Sequence, residues 1–264
     1  MDYARVLSIV RDTRTRTFPQ FGIVRPENKS NTYHDVVTEC DRAVEVFLKE
    51  KLYELDPSIT FFGEEFGGNT TDRFWLCDPI DGTGHFVRGL PFCTTMLTLI
   101  ENGVVTFSVI YDFVSDTLYH AIRGEGAYKN NVQIFVSTRA LKEAYIVFES
   151  QLRYPQNAEK YAQLESMCAL PATINCGWEF AMIAEGKFDG RITQNPYGKI
   201  WDFAPGSLLV SEAGGVVANI GRSNYTYTNL DLIATNKTIY EELTSGSQPL
   251  FPFVNEVSKP HDII

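Results

Sequence analysis

Apolar residues at Tyr3, Val6, Leu7 and Val10 recur at helical spacing and predict an amphipathic helix from Tyr3 to about Arg16. "FPQFGIVRPENKSN" is rich in breakers and polar residues and reads as a loop. A second helix follows in "DVVTECDRAVEVFLKEKLYEL". Its apolar set is Val37, Cys40, Val44, Phe47, Leu48 and Leu52, and it stops before Asp56-Pro57. "SITFFGEE" and "RFWLCD" are short strands that end in carboxylates.

From Thr94 the pattern turns to β. "TTMLTLI" and "VVTFSVIY" form a hairpin around Asn102-Gly103, and "DTLYHAIRG", "GAYKN" and "VQIFVS" continue a meander. Beyond Thr138 strands and helices alternate. "AYIVFES" and "FDGRITQ" read as strands. "WEFAMIAEG" is a helix stopped at Gly186. "DFAPGSLLVSEAGG" is a helix with Pro205 in its first turn and Gly214 just past its end. "GVVANI" and "LDLIAT" close the chain as strands. The pattern predicts an α+β chain of two sheets with helices around them. A soft boundary near Ser137 divides an N-terminal half, 1–137, from a C-terminal half, 138–264.

Composition narrows the function. The 264 residues are 44% hydrophobic, enough for a sizeable core, and the net charge is −10. That sign argues against nucleic acid or an anionic membrane as the main partner, while leaving room for a small anionic substrate if cations are bound. The odd set of Cys40, Cys77, Cys93, Cys168 and Cys176 has no C-x-x-C spacing, which points to a reducing, cytoplasmic setting. Four histidines without H-x-x-x-H spacing argue against zinc. No signal-peptide pattern opens the chain, and no stretch reaches the ~18 apolar residues of a membrane span.

The candidate chemistry lies in carboxylates at the mouths of elements: Asp35 before a helix, Glu64 and Glu65 after a strand, Asp78 and Asp81 in "WLCDPIDGTGHF", and Asp202 at a helix start. Taken singly, each reads as a cap or turn residue. Asp78 and Asp81 are different, because two aspartates around Pro79 repel each other in a confined site unless a cation lies between them. All-oxygen ligands favour Mg²⁺. Gly82 and Thr83 then open a helical turn whose free N–H groups can face a phosphate. Thr83, backed by a carboxylate, can orient a water. Cys77 reads as a core residue, and "RSNYTYTNLD" as surface loop or strand.

With these residues in view, the chain resembles the inositol monophosphatase family of lithium-sensitive, magnesium-dependent phosphatases. "WLCDPIDGTGHFVRGLPF" and "WDFAPGSLLVSEAGG" carry the two signatures, and "DVVTECD", "FFGEE" and "AIRGEGAYKNNVQIFVS" fall in the family's order, over about residues 3 to 236. The resemblance implies a layered αβαβα sandwich of the inositol monophosphatase and fructose-1,6-bisphosphatase type, usually a homodimer. It implies two or three Mg²⁺ ions held by Glu64, Asp78, the Ile80 carbonyl, Asp81 and Asp202, with Glu65 in support. It also implies phosphate held by the N–H groups of Gly82 and Thr83, and water activated by Thr83 and Asp35. Asp41 is expected to hold backbone or loop.

The chain departs from the pattern on the substrate side. Gly84-His85 follows Gly-Thr where inositol enzymes carry Thr-Asn, and His85 either touches a leaving group or packs. Asn175 and Cys176 lie in the run before the substrate-side helix, where the family has small residues. "GRITQNPYGKI" carries no acid, and Asn195 lies about where inositol-specific members place a glutamate. Its Arg191 and Lys199 either meet a second phosphate or are solvated. The expected activity is therefore hydrolysis of a small sugar or polyol phosphate. Fructose 1,6-bisphosphate is the alternative, with histidinol phosphate or a nucleotide 3′-phosphate behind it. A non-catalytic phosphate or metal binder is the reading from another class, and the full set of carboxylates weighs against it.

Overall fold

The computed structural model describes residues 1–28 and 36–254. Asp35 lies outside the described residues. Fourteen strands and eight α-helices are described: β1 (Glu27–Asn28), β2 (Val36–Val37), β3 (Thr60–Gly63), β4 (Gly67–Gly68), β5 (Arg73–Asp81), β6 (Thr94–Glu101), β7 (Val104–Asp112), β8 (Thr117–Ile122), β9 (Gly126–Lys129), β10 (Val132–Ile134), β11 (Ile146–Ser150), β12 (Gly190–Gln194), β13 (Val216–Asn219) and β14 (Leu232–Thr235), with α1 (Tyr3–Asp12), α2 (Arg14–Thr17), α3 (Glu39–Leu55), α4 (Thr83–Phe86), α5 (Pro155–Glu165), α6 (Cys176–Ala184), α7 (Ile200–Glu212) and α8 (Lys237–Thr244).

An eight-stranded sheet has the order β10-β9-β8-β7-β6-β5-β3-β4, and a four-stranded sheet the order β11-β12-β14-β13. Strand alternation sorts the core into layers. On β5, Trp75 and Cys77 join Val6, Val10, Val44 and Leu48 from α1 and α3 on one face. Phe74 and Leu76 point the other way, into a cluster with Phe180 and Ile183 of α6, Phe203 and Leu208 of α7, and Leu232 and Ala234 of the small sheet. Beyond that sheet, Ile146, Ile192 and Ile233 pack with Leu164 of α5 and Ile239 of α8. Helix, sheet, helix, sheet and helix thus follow one another, and α6 and α7 form the middle layer between the two sheets.

The β-hairpin turns where expected, with both Asn102 and Gly103 at positive φ. The first helix is shorter than its periodicity suggests. Thr13 turns its hydroxyl onto the Val10 carbonyl at 2.6 Å, and α1 ends at Asp12. Pro205 is a correction. Helix α7 begins at Ile200, so the proline lies inside it rather than in its first turn, and the Trp201 carbonyl loses its usual donor. Among the described residues no helix is long and apolar enough to cross a membrane.

Candidate metal centre

Asp78 and Asp81 share a strand, and a strict period of two would send residues three apart to opposite faces. A bulge in β5 prevents this. Asp78 pairs with Met96 and Asp81 with Thr94, so three steps on β5 oppose two on β6. The extra residue sits at Pro79-Ile80, where proline's missing donor does no harm and its carbonyl accepts from Thr95 Oγ1 at 2.9 Å. Both aspartates therefore face the middle helix layer.

Helix α7 brings the third carboxylate. Asp202 is at N3, and its Oδ2 accepts from the Lys199 N–H at 2.5 Å, closing the helix start. Asp78, Asp81 and Asp202 each offer a carboxylate oxygen, and these oxygens lie within 4.8 Å of one another. Helix α6 supplies the wall. Asp81 Oδ2 accepts from the Gly177 N–H at 2.6 Å and from Thr94 Oγ1 at 3.3 Å. The approach needs a glycine, because a Cβ on Gly177 would lie 2.3 Å from Thr94 Oγ1 and 2.8 Å from Asp81 Oδ2.

The electrostatics agree with the crowding. Asp78 is held far above the ordinary carboxylate range, first by burial and then by the charges of Glu64, Asp81 and Asp202. Asp202 is raised by burial and by Asp81. Asp81 is pushed up to about 7 by burial, against the Gly177 N–H and the Arg191 charge, which pull it down. Asp78 Oδ1 is buried without a hydrogen-bond partner among the described residues. A dry cluster of hard oxygen donors with an orphaned oxygen fits a divalent cation such as Mg²⁺. Glu64 follows β3, with its N–H on the Cys77 carbonyl at 3.1 Å, and it hydrogen-bonds with Asp78. The Glu65 and Phe66 N–H groups are anchored by buried Glu45 at 2.8 and 3.0 Å.

At the opening of α4, Gly82 has φ of +84° and shapes the turn. Thr83 Oγ1 lies 2.8 Å from Asp41 Oδ1 and 2.9 Å from the Ile80 carbonyl, the oxygen expected from the family resemblance to meet a metal. The other oxygen of buried Asp41 accepts from the Thr38 N–H at 2.8 Å and the Thr38 hydroxyl at 2.5 Å, a capping box for α3. Asp41 is raised by burial, with these hydrogen bonds opposing. The carboxylate behind Thr83 is Asp41, while Asp35, expected to activate water together with Thr83, lies outside the described residues. The T-x-x-D spacing shows the cap but not the tertiary contact.

The substrate-side expectations change more. Arg191 is fully buried, paired with Glu149 and Glu179, so neither the solvated reading nor the second-phosphate reading holds for it. Cys176 is buried with its sulfur 3.1 Å from Arg191 Nη2. Asn175 caps α6 by accepting from the Trp178 N–H at 3.0 Å, and its amide backs Gly82. Asn195 is exposed, in the left-handed region at φ of +51°, and accepts from Asn157 Nδ2 at 3.1 Å. His85 packs edge-on against Phe92, with ring centroids 6.0 Å apart, and burial lowers its pKa.

Comparison with known proteins places this arrangement. The profile of the inositol monophosphatase family matches residues 5–249. An inositol-1-monophosphatase of Bacillus subtilis (strain 168) is 30% identical over 230 residues, covering 82% of this chain and 86% of that protein. The Nus factor SuhB of Escherichia coli (strain K12) is 31% identical over 228 residues, covering 81% and 82%. The structure of an IMPase from Thermotoga maritima superposes with a TM-score of 0.82 at 26% identity, covering 92% of this chain and 95% of that one.

Proposed function

We propose, from the premise that this chain belongs to the inositol monophosphatase family, that it is a Mg²⁺-dependent phosphomonoesterase acting on a small sugar or polyol phosphate. The observation that carries the reading is the cluster of Asp78, Asp81 and Asp202 oxygens within 4.8 Å. These three, with Glu64 beside Asp78, would hold two or three Mg²⁺ ions. Bound Mg²⁺ supplies Lewis acidity toward the phosphoryl and leaving-group oxygens. The chain does the rest. The N–H groups of Gly82 and Thr83 open α4 and have no acceptor within the helix, so they would face the phosphate. The Thr83 hydroxyl, donating to Asp41 Oδ1, keeps a lone pair for the attacking water. The water's proton passes to Thr83 Oγ1 as the threonine proton moves to Asp41, whose burial raises its affinity for it.

Several relatives carry the name Nus factor rather than phosphatase, so the experiment measures hydrolysis itself as well as substrate choice. Phosphate release is followed with and without Mg²⁺ on inositol 1-phosphate, fructose 1,6-bisphosphate, histidinol phosphate and adenosine 3′,5′-bisphosphate. We expect Mg²⁺-dependent turnover, strongest on the monophosphorylated polyol, because the burial of Arg191 leaves Lys199 as the one cation of the 190–200 interval able to meet a second phosphate. The Asp202→Asn variant is expected to lose at least about 10²-fold in kcat while keeping the fold. Full Mg²⁺-dependent activity in that variant would remove Asp202 from the site, and no release on any substrate would favour a non-catalytic binder.

A further inference from the structure

Arg191 is fully buried on β12 and pairs with two carboxylates on other elements, with the Cys176 sulfur 3.1 Å from its Nη2. Its Nη2 donates to Glu149 Oε2 on β11, and its Nη1 pairs with Glu179 Oε2 on α6. The guanidinium carbon lies 5.6 Å from the ring centroids of both Phe180 and Phe203. Each glutamate uses its second oxygen elsewhere. Glu149 Oε1 accepts from the Tyr197 N–H at 2.9 Å, two residues before Lys199, whose N–H holds Asp202. Glu179 Oε1 accepts from the N–H groups of Ile174 and Asn175 and from Thr173 Oγ1, at 2.5, 3.2 and 3.2 Å. That segment runs straight into Gly177, whose N–H holds Asp81.

We propose that Arg191 is a positioning residue of the carboxylate site: through Glu149 it holds the 195–199 segment that leads to Asp202, and through Glu179 the 173–177 segment that holds Asp81. The inference rests on reading those aspartates as metal ligands and gives the buried cation a role other than substrate binding. The planar fork is what the role needs, because it reaches two carboxylates in fixed directions, whereas an ammonium is a point charge on a flexible stem. Charge alone would act in the opposite sense, since a cation near Asp81 and Asp202 competes with Mg²⁺.

The Arg191→Lys variant separates the two effects, because it keeps the charge and removes the fork. Mg²⁺ binding to the whole chain is measured by calorimetry, and the Mg²⁺ concentration for half-maximal phosphate release is measured beside it. The expected result is about tenfold weaker Mg²⁺ binding, the size found when groups behind metal ligands are lost. Half-activation should move by a similar factor, with kcat at saturating Mg²⁺ within about threefold of the wild type. A folded Arg191→Lys chain that binds Mg²⁺ within twofold of the wild type overturns the proposal, and so does one that loses kcat at saturating Mg²⁺ with unchanged Mg²⁺ affinity. If that variant does not fold, Glu149→Gln decides, since it leaves the pair with Glu179 in place. It should weaken Mg²⁺ by about threefold, and unchanged affinity overturns the proposal. A wild-type chain that binds Mg²⁺ but hydrolyses nothing refutes the phosphatase reading alone. One that binds no Mg²⁺ refutes both.

Discussion

Without a cation, the aspartate cluster makes the fold weaker as pH rises, and the size of the effect follows from one residue. Asp81 has its pKa raised from 3.8 to about 7, chiefly by burial. The folded chain therefore keeps a proton that the unfolded chain releases. Stability contributed by that proton is fully present below the unfolded value and is lost as pH climbs through the folded one. At about 1.4 kcal/mol per pH unit between the two values, Asp81 alone removes roughly 4 kcal/mol by pH 7.5. About 3 kcal/mol of this falls between pH 5 and 7.5, which for a chain of this length is a fall of roughly 8 °C in Tm. Asp78 and Asp202 are raised for the same reason and act in the same direction. Glu185, lowered by Lys129 and Lys187 against its burial, acts in the opposite sense but only near and below its ordinary value of 4.5. Between pH 5 and 7.5 Asp41, raised by burial, adds to the fall, while His85 and His120, lowered by burial, oppose it, so the cluster's share is the part of the profile that Mg²⁺ removes. The assay is thermal unfolding in EDTA across that window, repeated with excess Mg²⁺. The metal-free Tm should fall with pH, and the gain from Mg²⁺ should grow with pH as the cation replaces protons. A flat metal-free profile, with a Mg²⁺ gain independent of pH, would refute the argument that these carboxylates are crowded and dry.

Two substitutions test the cradle beside the cluster. Thr83→Val keeps the shape and removes the hydroxyl on Asp41, so kcat should fall by about 10²-fold or more. Calorimetric Mg²⁺ affinity should stay within about threefold, and equal losses in both would make Thr83 a structural residue only. Gly82→Ala places a Cβ 2.6 Å from the Phe92 carbonyl oxygen and 2.5 Å from Asn175 Nδ2, at φ of +84°. The left-handed backbone costs an alanine about 1–2 kcal/mol and the backbone clash adds to it. Urea unfolding should show a loss of about 2–4 kcal/mol, and a loss below about 1 kcal/mol would mean the turn relaxes freely.

The elements were legible where one periodicity governed the chain. Trp75 and Cys77 alternate with Phe74 and Leu76 across two separate cores, and alternation is what a sequence displays directly. The Asn102-Gly103 turn was legible because its backbone needs two residues that accept positive φ. What escaped depends on contacts between distant segments. Asp41 and Thr83 lie 42 positions apart, so a cap visible in T-x-x-D gave no sign of its second oxygen's partner. Helix α5 was missed because it buries little of its own surface, chiefly Asn157 and Leu164, and so lacks a strong apolar stripe. Pro205 falls in the first turn only if the helix opens at Asp202, and the register of Asp202 at N3 moves that opening back to Ile200.

Arg191 shows most clearly why residue type alone misleads here. Exposed arginine is the default expectation, and the strand containing it gives no warning that its neighbours in space are Glu149 and Glu179. Once paired, the guanidinium is largely spent on those two carboxylates, and its pull on Asp81 leaves that group still raised to about 7. Among the described residues no lysine or arginine side chain hydrogen-bonds to Asp78, Asp81 or Asp202, and the donors that do reach Asp81 and Asp202 are the Gly177 and Lys199 N–H groups and the Thr94 hydroxyl. Neutral donors orient a carboxylate without cancelling its charge. Three aspartates held in this way, one by a strand bulge, one by a glycine's close approach and one by a helix start, form a site built around charge that the protein itself does not neutralise. A hard divalent cation would supply the missing charge, and an anionic ester would then be attracted to a surface that the net charge of −10 otherwise makes repulsive.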